Sequence, residues 1–229
     1  MNSNLQLGPF VLRLQWMVII LSVLVGYLVV RYRLKRVTDL EDRAKERIIE
    51  TIEKSIVIAL MTWKFSLLLF DPVRVATNPL SILYYSGGEL GIGLAIIVLL
   101  IYFYYHSKKG HISVGVYGDL IAVGFLAGLG AYSLFALLGN QLRVGVYGSQ
   151  ILLAMLLYLL FLRKSKQTAK LSDLNQALIW FSLGQVFILF LSPLKQFFWW
   201  GFSKAQFYFL ILAAFCIIID FLRAKNRAD

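Results

Sequence analysis

The sequence is poor in the residues that most often build catalytic or metal sites. It has one cysteine, two histidines and four prolines among 229 residues. The lone Cys216 cannot form a disulfide within the chain, so it does not report a redox compartment. His106 and His111 have no cysteine or carboxylate cluster near them in the sequence. We therefore expect no zinc site and predict no cofactor.

Charged residues are also scarce, at 15% of the chain, whereas 59% of residues are hydrophobic and the mean hydropathy is +0.74. A soluble domain contains about 45–50% apolar residues. One soluble core cannot absorb this excess, so the chain requires an apolar solvent. Runs of about 17–25 mostly apolar residues can cross a bilayer as helices. We predict an all-α integral membrane protein, a single polytopic domain over 1–229, with seven transmembrane helices at about 10–30, 48–70, 87–105, 116–138, 146–162, 174–191 and 205–222.

The basic residues are unevenly distributed between the predicted loops. The odd-numbered loops and the C-terminal tail carry 17 of the 23 Lys and Arg residues, the even-numbered loops carry four, and the N-terminal tail carries none. Because cytoplasmic loops are enriched in Lys and Arg, this pattern predicts an outside N-terminus and an inside C-terminus. Anionic lipid headgroups are sufficient partners for the net charge of +11, so we predict no nucleic-acid partner.

Residues 38–54 are predicted to form a solvated helix that leads into the second span. Thr38 and Glu41 have capping-box spacing, and Glu41–Lys45 and Glu50–Lys54 are i,i+4 pairs of the favoured order. Glycines at 87–93 follow no strand, so we interpret them as a surface for close helix packing rather than a nucleotide loop. The pentapeptide Val-Gly-Val-Tyr-Gly at 114–118 and 144–148 is too short to indicate an inverted repeat.

Polar residues inside the predicted spans are concentrated towards the outer side. Lys64 lies roughly 9 Å below the outer end of the second span, at 1.5 Å per residue. It either snorkels to the interface or serves a functional site. The uncharged polar residues of this outer half are Tyr132, Ser133, Asn140, Gln141, Gln150, Gln185 and Gln206. Hydrogen bonds between helices explain any single one, at about 0.6–2 kcal/mol each, but clustering on one side favours a wet cavity open to the outer leaflet.

Several short motifs along most of the chain are similar to those of one enzyme family. The most specific match lies in the fourth span, at Asp119, Ile121, Ala122, Gly128, Leu129, Gly130 and Ala131. Weaker matches precede the first span and open the third, fifth and last spans: Leu7-Gly8-Pro9, Trp16, Asn78-Pro79-Leu80, Gly87-Gly88, Ser149-Gln150 and Gln206. On these residues the chain resembles the prolipoprotein diacylglyceryl transferase family. The resemblance implies that family's seven-helix fold in the bacterial cytoplasmic membrane, and transfer of a diacylglyceryl group from phosphatidylglycerol to a lipoprotein cysteine thiol.

The residues that the resemblance assigns to the chemistry are replaced. The family's third-span His falls on Ile92, its fourth-span Arg on Ser133, and its sixth-span Arg near Phe187. The second-span Arg falls on Lys64, which alone keeps the charge. A thiol must lose its proton to attack, and Ile92 cannot accept one. Without charge-assisted donors for the phosphate, the rate should fall by many orders of magnitude.

Three functions remain open at this stage. The first is a divergent, catalytically impaired relative that binds phospholipid, with phosphatidylglycerol expected, or a lipoprotein or prolipoprotein at the outer leaflet. The second is an active lipid-to-protein transferase whose site is rearranged around Lys64, Glu89 and Tyr132. The third is a transporter or a structural membrane subunit. The predicted lipid-binding residues are Lys64, Glu89, Tyr132, Ser133, Gln141, Arg143, Gln150 and Gln206.

Overall fold

The computed structural model describes residues 4–7, 10–36, 40–78, 87–139, 143–162, 171–192 and 200–225. Within these ranges the chain is helical apart from one antiparallel hairpin, β1 (Asn4–Leu7) and β2 (Phe10–Arg13), in which Leu7 pairs with Phe10. The helices are α1 (Leu14–Arg36), α2 (Asp42–Phe65), α3 (Leu67–Phe70), α4 (Pro72–Thr77), α5 (Gly88–Gly110), α6 (Val114–Gly139), α7 (Val144–Leu162), α8 (Leu171–Phe190) and α9 (Lys204–Lys225).

Six of these helices are long and apolar enough to cross a membrane. Their spanning segments are Met17–Arg36, Gly88–Gly110, Val114–Gly139, Val144–Phe161, Leu171–Phe190 and Lys204–Arg223. Large apolar side chains on them face outwards, among them Leu100, Leu152 and Phe215, each more than 60% exposed. Such a surface is unstable in water and suits lipid acyl chains. The chain is thus a multi-pass α-helical membrane protein, as its composition predicts.

The first predicted span, 10–30, was wrong at its start. Residues Phe10–Arg13 form strand β2, and the helix begins only at Leu14. A short apolar run does not by itself distinguish a strand from a helix, and here the preceding segment provides a partner for backbone hydrogen bonds. Arg13 consequently lies in the hairpin and not in the first turn of a span.

The second predicted span, 48–70, is not one helix. It begins inside α2, which ends at Phe65, and α3 then covers Leu67–Phe70. At the junction, the Ser66 hydroxyl donates to the Trp63 carbonyl over 2.7 Å, a local bond that competes with the helix. Asp71 leaves the helical conformation because Pro72 follows it. α2 is not one of the six candidate spans, because four charged residues lie within 48–65.

The start of α2 partly follows its prediction. Lys54 Nζ lies 2.6 Å from Glu50 Oε1, which confirms that pair. Lys45 pairs with Asp42 at 3.1 Å rather than with Glu41, because Glu41 is the N-cap residue, outside the helix. Glu41 makes no side-chain capping bond, and its predicted partner Thr38 lies outside the described residues.

The chain forms two compact units, which we call the large unit (Met1–Asp39 with Gly118–Asp229) and the small unit (Leu40–Tyr117). In the large unit α1 and α6 pack antiparallel through small residues. A Cβ on Gly26 would lie 2.6 Å from the Gly124 carbonyl oxygen, and one on Gly128 would lie 3.1 Å from the Ser22 carbonyl oxygen. These glycines therefore let the two backbones approach closely. The apolar core beside them joins α6, α7 and α8 through Val123, Leu126, Leu157, Phe161 and Leu174.

In the small unit α2 packs antiparallel along α5. At one end the Gly87 amide donates to the Trp63 carbonyl over 3.3 Å, and a Cβ on Gly87 or Gly91 would collide with the Ser66 hydroxyl. This confirms the close-packing interpretation for Gly87 and Gly91. Gly88 and Gly93 have open space beside them, and Gly88 instead takes a positive φ of 58°.

Candidate lipid-binding site

Two of the predicted site residues meet between α6 and α7 in the large unit. Ser133 is fully buried, and its hydroxyl donates to Gln150 Oε1 over 3.2 Å. One turn deeper, Gly130 lies against Ala154. These small residues bring the helices close enough for the polar side chains to bond across the interface. The pairing fits either of the predicted interpretations, a helix–helix hydrogen bond or one wall of a polar site.

A cation and two phenols belong to the same part of α6 and α7, since Tyr132 precedes Ser133 in the chain. Arg143 directly precedes α7, and both Arg143 and Tyr147 act electrostatically on the half-buried Tyr132. We name Tyr132, Ser133, Arg143, Tyr147 and Gln150 the α6–α7 polar cluster. A guanidinium and two phenols offer donors for phosphate oxygens, and an amide and a hydroxyl can bond a glycerol group. The cluster contains no carboxylate, imidazole or thiol, so it suits binding and offers no strong base.

A second set of polar groups lies buried on α8, also in the large unit. Ser182 is fully buried and Gln185 nearly so. Among the described residues, neither Ser182 Oγ nor Gln185 Nε2 has a hydrogen-bond partner. Residues three apart share a helix face. An unsatisfied donor in hydrocarbon costs several kcal/mol, so these groups require water or a polar ligand. Sequence reasoning flagged Gln185 and missed Ser182, because serine is common at ordinary helix contacts.

Gln206 has a structural role that the sequence could have revealed. The Ser203 amide donates to Gln206 Oε1 over 2.8 Å, and the Gln206 amide donates to Ser203 Oγ over 3.3 Å. This reciprocal pair is a capping box at the start of α9, with the expected Ser-x-x-Gln spacing. Gln206 Nε2 also donates to the Val186 carbonyl over 3.2 Å. Both ends of this fully buried amide are engaged within the protein, and its lipid-binding role stays a prediction.

Three predicted site residues remain: Lys64, Glu89 and Gln141. Lys64 and Glu89 belong to the small unit, where Trp63 and Gly87 are bonded, so both lie at the same end of the α2–α5 pair. Lys64 is half-buried and Glu89 is exposed. This arrangement is compatible with one site that contains both Lys64 and Glu89, and their lipid-binding role stays a prediction. Gln141 lies outside the described residues.

The structure adds a buried ion pair that sequence reasoning did not find. Arg33 near the end of α1 lies with Nη2 3.3 Å from Asp119 Oδ2, and the side chains are 3% and 0% exposed. In the sequence, Arg33 belongs to the first basic loop, and Asp119 stands out only as part of the fourth-span motif. An acidic residue near the end of a span usually requires a partner, so Asp119 itself was a signal of an ion pair. The sequence does not identify that partner, because Arg33 lies 86 residues away.

Neither a family model nor a curated protein matches this chain. The resemblance to the transferase family therefore stays a hypothesis supported by short motifs. At the two decisive positions, Ile92 is 52% exposed on α5 and Ser133 is buried against Gln150. Neither side chain can perform the role that the family assigns to its His or Arg. Among the described residues, no group of three or more His, Cys, Asp or Glu could hold a metal ion.

Proposed function

We propose that this chain crosses the membrane seven times, with α2 as the additional span. The packing of α2 on α5 supports this proposal. The end of α2 at Trp63 bonds Gly87 before the start of α5, while Arg47 near the start of α2 and Lys54 midway along it line one cavity with His106 and Lys109 near the end of α5. A helix that follows a spanning neighbour from end to end crosses the same thickness of bilayer.

The directions of α1 and α6 also support seven membrane crossings. α1 and α6 are antiparallel, because Ser22 lies beside Gly128 whereas Arg33 lies beside Asp119. Two spans that cross in opposite directions are separated along the chain by an even number of crossings. Because α5 is one candidate span between α1 and α6, α2 supplies the second crossing in this proposal. With the loop charges, this supports an outside N-terminus and an inside C-terminus.

The proposed function is binding of an anionic phospholipid headgroup, phosphatidylglycerol by preference, at the outer leaflet. In this topology the C-terminal end of α6 and the N-terminal end of α7 are outside. The observation that carries the proposal is the α6–α7 polar cluster: one cation, two phenols and a bonded Ser133–Gln150 pair at this level. A phosphodiester and glycerol hydroxyls match these groups chemically.

The proposal includes impaired chemistry and an origin in the prolipoprotein diacylglyceryl transferase family. The motifs at 119–131 and the outer-end position of the polar cluster support the origin. Ile92 and Ser133 in place of the family's His and Arg support the loss of transfer. A lipid-bound, inactive relative accounts for both observations together. It predicts that this chain alone does not restore lipoprotein modification in a bacterium depleted of the active transferase, and restoration would contradict the impaired chemistry.

The headgroup site is tested by counting phosphatidylglycerol molecules that remain bound after purification in mild detergent. Arg143→Gln removes a charge-assisted bond worth about 1.5–3 kcal/mol, so retention should fall roughly tenfold to a hundredfold. Arg13→Gln, in hairpin strand β2, removes the same charge and serves as the control. Lys64→Gln tests the predicted small-unit site in parallel. Equal lipid in wild type, Arg143→Gln and Lys64→Gln would overturn the proposed function.

A further inference from the structure

A cavity in the small unit lies at the opposite end of α2 and α5 from Lys64 and Glu89. It has a volume of about 250 Å³ and its lining includes Arg47, Glu50, Lys54, His106, Lys109 and Tyr117. Drug-sized ligands occupy pockets of about 300–1,000 Å³, so this cavity suits a smaller group. Sequence reasoning treated its cations only as loop charges that set the topology.

The charge of the lining favours an anion. Three cations, Arg47, Lys54 and Lys109, share the cavity with one carboxylate, Glu50. That carboxylate is bonded to Lys54 Nζ at 2.6 Å, so the pair is largely neutral as seen from the cavity. Arg47 and Lys109 are exposed at its rim, and among the described residues neither forms an ion pair. Two positive charges, those of Arg47 and Lys109, therefore face the cavity.

Hydrogen-bond donors next to the cavity complete the site. Tyr102 packs on His106, with ring centroids 4.4 Å apart, and lies within electrostatic range of Lys54, Glu50 and Tyr117. Its buried hydroxyl has no hydrogen-bond partner in the part of the chain that the structure describes. A hydroxyl, an imidazole, a guanidinium and an ammonium around one small space form the donor set that binds phosphate oxygens.

The positions of neighbouring cations argue that the cations of the cavity lining do more than face the membrane interface. Lys108 lies next to Lys109 in the chain, and each ammonium lies over a tyrosine ring, at 5.1 Å from the centroid of Tyr104 and 5.9 Å from that of Tyr105, but only Lys109 is part of the cavity lining. Arg43, one turn before Arg47 on α2, is exposed and also lies outside the lining. The cavity lining therefore includes some basic residues of this region and leaves out their neighbours. We propose that it is a second binding site, for a phosphate group carried either by an anionic lipid headgroup or by a small soluble anion.

The test compares two double variants that remove equal charge: Arg47→Gln with Lys109→Gln in the lining, and Arg43→Gln with Lys108→Gln outside it. The full chain is placed in phosphatidylcholine nanodiscs, and its apparent Tm is followed while inorganic phosphate is added. A second series replaces part of the phosphatidylcholine with phosphatidylglycerol. We expect the lining variant to require about tenfold more ligand, or more, for the same rise in Tm, while the outside variant matches wild type.

The two series identify the source of the phosphate. A response to phosphatidylglycerol alone assigns a lipid headgroup, and a response to inorganic phosphate assigns a soluble anion. Because both double variants keep Arg143, lipid bound at the outer cluster contributes equally to each. Arg47→Lys with Lys109→Arg keeps the charge and should keep the response, which separates a binding defect from a folding defect. The proposal is overturned if the two charge-removing variants respond alike, or if wild type responds to neither ligand.

Discussion

At the scale of single residues, the Arg33–Asp119 pair is an ion pair buried among the described residues of the large unit. Its two side chains are 3% and 0% exposed, whereas those of the Glu50–Lys54 pair are 62% and 61% exposed. Breaking a buried pair leaves one uncompensated charge in a low-dielectric region, which costs several kcal/mol. An exposed pair loses little, since water hydrates the remaining charge. The two pairs should therefore respond very differently to the same kind of substitution.

We predict that Asp119→Asn lowers the free energy of unfolding by about 3–5 kcal/mol, and that Arg33→Gln has a similar effect. The double variant Arg33→Met with Asp119→Leu should recover most of the loss, because it removes both charges and keeps apolar volume. Glu50→Gln should change stability little and serves as the control. The measurement is denaturant unfolding in detergent micelles. If Asp119→Asn lowered the free energy of unfolding as little as Glu50→Gln does, the Arg33–Asp119 pair would not be buried as described.

At the scale of elements, close approach of α1 and α6 depends on glycine. Gly26 faces the Gly124 carbonyl, a backbone atom that cannot move without displacing α6. In an open helix position, replacing glycine by alanine stabilises by about 1 kcal/mol. We predict the opposite sign for Gly26→Ala, which should lower the apparent Tm, whereas Gly148→Ala in α7, with nothing within 4 Å, should raise it. Higher Tm values for both variants would show that the helices are not in close contact at Gly26.

At the scale of elements, the sequence predicts the long apolar helices but not the short elements formed by local bonds. Long apolar runs predicted α5 to α9, with ends displaced by up to five residues, as where 87–105 became Gly88–Gly110. Helices extend past the hydrocarbon because their polar ends still satisfy the backbone. The β1–β2 hairpin and the break at Ser66 depend on local bonds that hydrophobicity does not encode. The Ser203–Gln206 capping box was readable from its spacing, whereas the Arg33–Asp119 pair required knowledge of which helices meet.

At the scale of the whole molecule, polar groups occupy both ends of the proposed spans. The α6–α7 polar cluster lies at the ends assigned to the outside, and the cavity lined by Arg47 and Lys109 lies at the end of α2 and α5 assigned to the inside. Both assignments depend on α2 crossing the membrane. If α2 did not cross, Glu46 near its start and Asn78 after α4 would be on the same side. The side of the membrane on which each of these two residues lies therefore tests the topology most directly.

We predict that Asn78 is outside and that Glu46 and Lys109 are inside. Each is exposed, so a cysteine placed there should react with a membrane-impermeant maleimide wherever that face is accessible. The background is Cys216→Ala, which removes the native thiol and keeps the bond from Asn175 Nδ2 to the Cys216 carbonyl, 2.8 Å long. In intact spheroplasts only Asn78→Cys should be labelled, and all three should be labelled after permeabilisation. Labelling of Glu46→Cys and Asn78→Cys together from outside would exclude α2 as a span, and labelling of Glu46→Cys and Lys109→Cys without Asn78→Cys would reverse the orientation.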